Sequence, residues 1–214
     1  MPLPRPTNVY IDGFNFYYGS VKGTAFKWLD LGELCKLLLP AEQHTINRIR
    51  YFTAPIHPRP SDPEQPQRQQ TYLRALNTIP NLTIHKGIFH TNQKRLPVVN
   101  RLPNQPRTVE VWVNEEKGSD VNLATYLLID DMHNEYEAAV IISNDSDFVL
   151  PIEYIREQRH RLIGILNPHV YNPSRELRRL AHFYKPIRSG VLAASQFPSI
   201  LYDSQGAIHK PHLW

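Results

Sequence analysis

The segment that most constrains the fold is the run AAVII at residues 138–142, which is apolar at five consecutive positions. A strand with one face in water alternates apolar and polar residues, whereas an unbroken apolar run is typical of a central strand in a parallel sheet. This run ends in the polar stretch SNDSDF, residues 143–148, and an apolar periodic segment follows. The sequence therefore predicts a buried strand over residues 138–143 with acidic groups at its carboxyl end.

Strands alternate with helices along the rest of the chain, which is typical of an α/β protein with a mainly parallel sheet. Clean alternation makes residues 108–114 an antiparallel or edge strand, and residues 161–166 are the last strand expected in the sheet. The other predicted strands lie at residues 8–12, 46–54 and 82–90. Helices are predicted at 29–39, up to Thr78, at 119–133 with Ser119 as N-cap, up to Gln158, and at 173–181.

The remaining segments are expected to be irregular or to lie outside the main domain. Residues 91–106 predict an irregular basic loop. The stretch DSQG, residues 203–206, lies between short apolar pairs and predicts a hairpin turn. We therefore divide the 214 residues into a main domain, residues 1–188, and a C-terminal tail with a hairpin, residues 189–214.

Four aspartates follow strands or begin helices in this pattern. Asp12 follows the first strand, Asp120 lies at a predicted helix start, and Asp145 and Asp147 lie between a strand and a helix. Ligands of parallel sheets bind beyond the carboxyl ends of the strands, so Asp12 and Asp145 are expected at one edge. Each aspartate alone suits helix capping, and Asp147 suits it better than Asp145. Together, converging carboxylates repel one another unless a cation lies among them.

Oxygen ligands favour a hard cation, so we expect Mg²⁺ or Mn²⁺ as the cofactor. The sequence contains no HExxH, GxGxxG, GxxxxGK[ST] or GxSxG motif, and its ten histidines lack metal-site spacing. The one cysteine, Cys35, lies in an apolar helical pattern and is expected to be a buried hydrophobic residue. These features leave the four aspartates as the candidate metal ligands.

The chain is expected to be cytoplasmic and without membrane contact. Its first residues, MPLPRPTNVYIDG, lack the apolar core of a signal peptide. No apolar run approaches the ~20 residues of a membrane helix. A single cysteine provides no disulfide framework, which is typical of a reducing compartment.

Basic residues are concentrated in two parts of the chain, whose formal net charge is +4. Residues 82–109 contain no Asp or Glu, and residues 156–188 carry eight Lys or Arg against two glutamates. This distribution favours an acidic partner such as nucleic acid, and a solvated basic surface is the alternative.

Several residues are candidate contacts to such a partner. Lys117 lies three residues before Asp120 and is placed to contact a substrate phosphate, unless it is only a solvated lysine. Tyr17 and Tyr18 either stack on a base or pack the first helix onto the sheet. The predicted loop adds Lys94, Arg95 and Arg101 as phosphate contacts.

Three segments resemble the signature segments of the NYN domain family, which belongs to the PIN-like ribonuclease superfamily and includes the LabA-like bacterial proteins. These segments are VYIDGFNFYYG, EEKGSDVNLATYLLIDD and VIISNDSDFVLPIEYIRE, in that order. The resemblance implies a three-layer α/β/α sandwich, PIN-like and Rossmann-like, over residues 1–188, with the tail as a short appendage. It also implies a Mg²⁺- or Mn²⁺-dependent nuclease site.

The resemblance implies a role for each residue of that site. Asp12, Asp120 and Asp145 match the family's metal-binding acids, and Asp147 matches a position that is often acidic. Asn15 matches the polar residue after the first acid and would hold a ligand or a phosphate. We therefore expect a metal-dependent ribonuclease that hydrolyses RNA phosphodiester bonds, with the four aspartates as its catalytic residues.

Other functions stay open at this point. A non-catalytic RNA-binding regulatory module would use the same fold without needing the acids. An NADH-dependent hydroxylase of an aromatic, pyridine-type compound is implied by assignments made to some NYN-like proteins, although this chain has no flavin or nicotinamide fingerprint. A haloacid-dehalogenase-like enzyme would carry two acids after its first strand, where this chain has only IDGFN. Trp112, on the polar face of its strand, could mark an interface between two copies.

Overall fold

The main structural element is a six-stranded parallel sheet. A computed structural model describes residues 3–58, 60–169 and 171–214 of the chain. Its strands are β1 (Arg5–Asp12), β2 (His44–Thr53), β3 (Leu82–Lys86), β4 (Ile88–Pro97), β5 (Thr108–Lys117), β6 (Ala138–Ile142), β7 (Leu162–Asn167), β8 (Phe183–Pro186), β9 (Ile200–Asp203) and β10 (Gly206–His209). The central sheet has the order β3-β2-β1-β6-β7-β8, and all of its neighbouring strands are parallel.

The strand order reverses between β1 and β6. The chain passes outward from β1 to β2 and β3, and then returns to place β6 on the other side of β1. Ile11 pairs with Ile142 at the carboxyl ends of these two strands, so the residues that follow them emerge side by side. Parallel sheets bind ligands at such a reversal, because the loops diverge there and leave a crevice.

Helices cover both faces of this sheet, so the predicted three-layer α/β/α sandwich is confirmed. One face carries α2 (Leu31–Leu38), α3 (Gln65–Leu76) and α7 (Ser189–Ala194), and the other carries α4 (Ser119–Met132), α5 (Val149–Gln158) and α6 (Arg175–Leu180). A short helix α1 (Gly13–Phe16) and a π-helical turn, Tyr17–Val21, follow β1 directly. None of the helices in the described residues is long and apolar enough to cross a membrane.

Alternation along β1 divides the core into two clusters. Val9 and Ile11 pack with α2 and α3, whereas Tyr10 packs on the opposite face with α4 and α5, and all three side chains are fully buried. β6 is buried at every position, which confirms it as a central strand. Cys35 is also buried, as its apolar surroundings predicted.

The prediction of an irregular loop over residues 91–106 was wrong in its first part. Residues 88–97 form β4, which pairs with β5 in a separate antiparallel ribbon, and the predicted strand 82–90 is divided at Gly87. A side chain at Gly87 would come within 2.7 Å of the Lys117 carbonyl oxygen, so glycine permits this close crossing. The error arose because β4 is exposed at nearly every position and therefore lacks apolar alternation.

The sheet also continues one strand beyond the predicted last strand, residues 161–166. β8 is only four residues long and pairs with β7. Gly164 lies directly against the Phe183 ring, and a Cβ there would overlap that ring, which would have to move. A four-residue edge strand provides too few positions for a periodic signal.

The predicted C-terminal hairpin is confirmed as β9 and β10. It packs onto the main domain, because Ile208 and Phe197 belong to the apolar cluster that includes α2 and α3. The Arg74 guanidinium on α3 donates to the Asp203 carboxylate, with Nε at 2.7 Å from Oδ2. The Trp28 indole donates to the Pro198 carbonyl at 2.9 Å. The tail therefore packs against the main domain and contributes residues to its core.

Candidate metal centre

Asp12 is held rigidly at the end of β1. Its carboxylate oxygens accept hydrogen bonds from two directions, one from the Asn15 backbone N–H at 3.0 Å and one from the Ser143 hydroxyl at 3.0 Å. The first bond caps α1, which can begin immediately because Gly13 has no side chain to meet the Phe52 carbonyl. The side chain is thus fixed between the first helical turn and the end of β6.

The position of Asp12 is electrostatically unfavourable for a carboxylate. The residue is only 4% exposed, and burial raises the pKa of Asp12 to about 6. The hydrogen bond from Asn15 opposes that rise, while the neighbouring carboxylates of Asp120 and Asp145 raise the pKa of Asp12 further. The folded chain therefore brings three acids within electrostatic range of one another.

Asp145 and Asp147 lie in the turn after β6, a short 3-10 helix over Ser146–Phe148. The Asp145 carboxylate accepts the Asp147 backbone N–H at 3.0 Å, so Asp145 is the cap of this turn. The expectation that Asp147 suits capping better was wrong, because the turn begins at Ser146, directly after Asp145. The Asp145 N–H in turn donates to the Ser143 hydroxyl at 3.1 Å.

Three polar residues that bind the two strand ends together complete the framework. Ser143 bridges Asp12 and Asp145, since it donates to one and accepts from the other. The Asn15 side-chain oxygen accepts the Asn144 backbone N–H at 3.0 Å. Asn15 was predicted to hold a ligand or a phosphate, and the structure places its oxygen in this link. Sequence reasoning missed Ser143 and Asn144, although both belong to the polar stretch that follows β6.

Asp120 enters the same region from the first turn of α4. The prediction of Ser119 as N-cap was wrong by one residue, because Gly118, with φ of 99°, is the N-cap. Glu116 supplies the capping contacts instead, as it accepts the Ser119 backbone N–H at 3.1 Å and the Ser119 hydroxyl at 2.7 Å. Sequence reasoning missed this glutamate, and its only signal was its position before a helix start.

The pKa of Asp120 is raised, first by burial and then by the negative charges of Asp145, Glu116 and Asp147. The structure therefore brings together all four predicted aspartates, with Glu116 beside them. Within the described residues, none of the four aspartates forms an ion pair with a lysine, arginine or histidine. Their mutual repulsion is left without an internal counter-charge.

The donor set fits a hard divalent cation by chemistry and by charge. All of the converging side chains are carboxylates, which Mg²⁺ and Mn²⁺ prefer as ligands. The raised pKa values of Asp12 and Asp120 mark negative charge that a cation would stabilise. In the part of the chain that the structure describes, no three acidic, histidine or cysteine side chains are already arranged around one point as a metal shell.

The predicted basic contacts lie on the ribbon that leads away from the acids. Lys117 ends β5 two residues before α4 and is exposed near the acids. Lys94 and Arg95 lie further along β4, where they form ion pairs with Glu115 and Glu110. Arg101 lies beyond the ribbon and donates to the Gln105 carbonyl at 3.3 Å. Of the four, Lys117 is thus nearest to the acids along the chain.

An aromatic cavity of about 400 Å³ opens beside the acids. Two of its lining residues are next to the acidic region: Gly13, which follows Asp12, and Glu116, which accepts the Ser119 backbone N–H. Its other walls come from α3, from the start of β4 and from the C-terminal residue Trp214. Sequence reasoning missed this cavity, because its walls are separated by up to 200 residues along the chain.

Comparison with known proteins identifies related sequences and a related fold. The family model of the NYN domain matches residues 6–188. The 6-hydroxy-3-succinoylpyridine 3-monooxygenase HspA of Pseudomonas putida is 34% identical over 238 aligned residues, which cover 99% of this chain and 76% of HspA. The crystal structure of a protein of unknown function from Vibrio parahaemolyticus has a TM-score of 0.55 at 14% identity, covering 88% of this chain and 96% of the other, and shows the fold alone.

Proposed function

The chain belongs to the NYN domain family, and we propose that it is a metal-dependent ribonuclease that hydrolyses RNA phosphodiester bonds at the carboxyl edge of its sheet. NYN domains are generally nuclease-like and belong to the PIN-like superfamily. The observation that carries the proposal is the convergence of four aspartates without an internal counter-charge. Repulsion between neighbouring carboxylates, one of which, Asp12, is buried, costs stability and is typical of a site that binds a cation.

Asp12, Asp120 and Asp145 are the residues that would hold Mg²⁺ or Mn²⁺. Such an ion, when bound, polarises a phosphoryl oxygen and lowers the pKa of a coordinated water molecule. Ser143 and Asn15 fix the Asp12 carboxylate and the neighbouring backbone, so these ligands would not need to reorganise. Asp147, exposed in the 3-10 turn before α5, adds a fourth carboxylate at the rim.

The basic residues supply the proposed contacts to the RNA backbone. Lys117 is exposed and close in sequence to Asp120, so it would contact a phosphate near the scissile bond. Lys94 and Arg95 would have to exchange their glutamate partners for phosphates, and Arg101 would extend the track. We expect single-stranded or structured RNA to lie along this ribbon in a cytoplasmic setting.

The test compares purified wild type with Asp145→Asn on labelled single-stranded RNA. Each protein is incubated with Mg²⁺, with Mn²⁺ and with a chelator. We expect cleavage by wild type only when metal is present, and a loss of at least about 100-fold in Asp145→Asn, because a ligand of the ion is removed. Glu153→Gln, on α5 and outside the site, is the matched control and should retain full activity.

The outcomes separate the proposal from its rivals. Equal cleavage by all three proteins would identify a contaminant and contradict the assignment of Asp145. Binding of RNA without cleavage by any protein would favour the non-catalytic RNA-binding module.

A second candidate is the NADH-dependent hydroxylation of an aromatic, pyridine-type compound. Two observations favour it: the relative named as a pyridine monooxygenase is 34% identical over nearly the whole chain, and an aromatic cavity adjoins the acids. Oxidation of NADH that depends on an added pyridine compound would support this candidate. If this candidate is correct, the wild type is not a ribonuclease, so the loss of RNA cleavage in Asp145→Asn would not be seen.

A homodimer is a further proposal, and it concerns the ribbon. Trp112 on β5 is 68% exposed, which is unusual for a large aromatic residue on a monomer. Sedimentation of wild type and Trp112→Ser tests it: a dimer that Trp112→Ser weakens is expected, and a monomeric wild type would contradict it.

A further inference from the structure

The aromatic cavity differs from the acidic edge in its chemistry. Its walls are formed mainly by rings, among them Phe14, Tyr51, Tyr72, Phe89 and Trp214. Phe14 and Phe89 meet edge to face with their ring centres 5.5 Å apart, and Tyr72 and Trp214 do so at 5.5 Å. Such walls suit a flat ring, because aromatic pairs favour stacked and edge-to-face contacts.

The volume of the cavity sets the size of a ligand. At about 400 Å³ it is within the range of small-molecule sites, and a single ring system with one substituent would fit. The cavity lies between α1 and α3, on the face of the sheet that carries α2. None of the four aspartates lines it, but it adjoins them, because Gly13 and Glu116 lie along both regions.

Arg68 gives the cavity a specific polar group. It lies on α3, lines the cavity, and its side chain is only 11% exposed. One nitrogen, Nη2, donates to the Asp62 carboxylate, and Nη1 lies 3.8 Å from Glu64. Its Nε and Nη1 atoms are buried and have no hydrogen-bond partner.

Buried donors without a partner are uncommon and cost free energy, so they require an explanation. A guanidinium with vacant donors in its planar fork is well suited to a carboxylate or a phosphate. Other polar side chains also line the cavity, namely Lys27, Asp62, Gln65, Gln69 and Glu116. The Gln69 amide is already used, since it accepts from Ile56 N–H and donates to the Ala54 carbonyl. Arg68 is thus one of two cationic side chains in the lining, with Lys27, and the one whose buried donors lack hydrogen-bond partners.

We propose that this cavity binds a planar aromatic ring that bears an anionic group, with the ring among the aromatic walls and the anion on Arg68. Two sources share this chemistry: a nucleobase with its phosphate, and a free aromatic acid. The binding itself is independent of the proposed ribonuclease activity. If the ligand is a nucleotide, the cavity would be a base-binding site next to the proposed cleavage site. Only in that case does the inference extend the proposed ribonuclease function.

The test is calorimetric titration of the chelator-treated protein, so that no metal can bind the phosphate. The nucleotide arm uses uridine 5′-monophosphate and adenosine 5′-monophosphate, with the uncharged nucleosides as references. The aromatic-acid arm uses pyridine-3-carboxylate, with pyridine-3-carboxamide as its uncharged reference. In at least one arm, the anionic ligand should bind about tenfold or more tightly than its uncharged reference, because of the bond to Arg68.

Variants locate the binding. Arg68→Gln should remove the preference for the anionic ligand, whereas Arg48→Gln should keep it, because Arg48 lies on β2 and pairs with Glu135 outside the cavity. Phe89→Leu should weaken the anionic and the uncharged ligand equally, since it alters only an aromatic wall. If Arg68→Gln does not fold, Arg68→Lys and Phe89→Leu carry the test, and Arg68→Lys should reduce the preference because lysine lacks the planar fork.

The outcomes are distinct. Arg68-dependent binding of a nucleotide assigns the site to RNA, and Arg68-dependent binding of the pyridine acid assigns it to a small aromatic substrate. Binding of neither probe, or a preference for the anion that survives in both Arg68 variants, would overturn the proposal. RNA cleavage is measured separately, so a failure here leaves the ribonuclease proposal intact.

Discussion

The two ends of α4 carry acids in opposite surroundings, half-buried and unpaired at one end and fully buried and paired at the other. Asp120 at its N-terminal end lies with other carboxylates, and no described cation pairs with them. Asp130 and Asp131 at its C-terminal end are at most 1% exposed, and both are bound by arginine. Both sets of acids nevertheless belong to one helix and one core.

The C-terminal end shows how completely this chain can neutralise an acid. Asp130 accepts from the Arg50 guanidinium through both oxygens, at 2.6 and 2.7 Å, and from the Tyr10 hydroxyl at 2.7 Å. Asp131 accepts from Arg159 Nε at 2.6 Å and from Arg161 Nε at 2.7 Å. The acids at the other end therefore lack arginine although the fold uses it freely nearby, which supports an external cation as their partner.

The largest expected effect on stability comes from removing an acid at the paired, C-terminal end of α4. Asp130→Ala should lower the free energy of unfolding by about 3–5 kcal/mol, because Arg50 would be left buried without its partner. Urea denaturation at pH 7 measures the change. Asp12→Asn, the matched variant at the unpaired end, should instead stabilise the metal-free protein, so a loss as large as that of Asp130→Ala would contradict the comparison.

The titration of Asp12 should make the free energy of unfolding depend on pH, which provides a second test at the unpaired end. Its folded-state pKa is raised from 3.8 to about 6, so below about pH 4 both states are protonated and the group has no effect. Between pH 4 and 6 the unfolded chain loses its proton first, so the free energy of unfolding falls as pH rises, by up to roughly 3 kcal/mol.

Denaturation of metal-free wild type and Asp12→Asn across this window measures the effect. The stability gained through Asp12→Asn should grow from pH 4 to pH 6 and stay constant above it. A gain that is the same at every pH would contradict the raised pKa of Asp12.

A divalent metal ion should bind only the unpaired acids at the N-terminal end of α4, and it should stabilise the folded protein through that end alone. Mn²⁺ at about 100 times its dissociation constant should raise the free energy of unfolding of wild type by about 2.7 kcal/mol, because the ion binds the folded state. The double variant Asp12→Asn with Asp145→Asn should show no increase. Thermal melting with and without Mn²⁺ measures this, and equal stabilisation of both proteins would place the ion elsewhere.

The smallest effect concerns the lysine beside the unpaired end. Lys117→Gln should weaken RNA binding several-fold and lower the salt dependence of binding by about one counterion. Lys94→Gln is the control, and its effect should be smaller because Lys94 is already paired with Glu115. Titration of labelled RNA at several salt concentrations measures both, and equal slopes for Lys117→Gln and wild type would refute the contact.

The central elements of the fold could be predicted because their signals are local. The unbroken apolar run of β6 and the aspartate after β1 both mark strand ends directly in the sequence. The convergence of Asp12 and Asp145 followed from the rule that parallel strands share a carboxyl edge. Asp120 was predicted from its position at a helix start, and it also matches a metal-binding acid in the segments that resemble NYN domains.

The missed features depend on partners distant in the sequence. β4 is a strand only because β5 pairs with it, and its own residues are exposed on both faces. Ser143 acquires its role only when β1 lies next to β6, since it then bridges two aspartates. The cavity around Arg68 requires the C-terminal Trp214 to return to α3, which no local pattern predicts.

The most direct test of the account is calorimetric titration of Mn²⁺ into the metal-free protein. Wild type, Asp12→Asn, Asp120→Asn and Asp145→Asn are compared, with Glu153→Gln as the control outside the site. The account predicts Mn²⁺ binding to wild type and the control, weakened by about tenfold or more in each aspartate variant. Equal Mn²⁺ affinity in all five proteins, or none in wild type, would contradict the claim that these acids converge to hold a divalent cation.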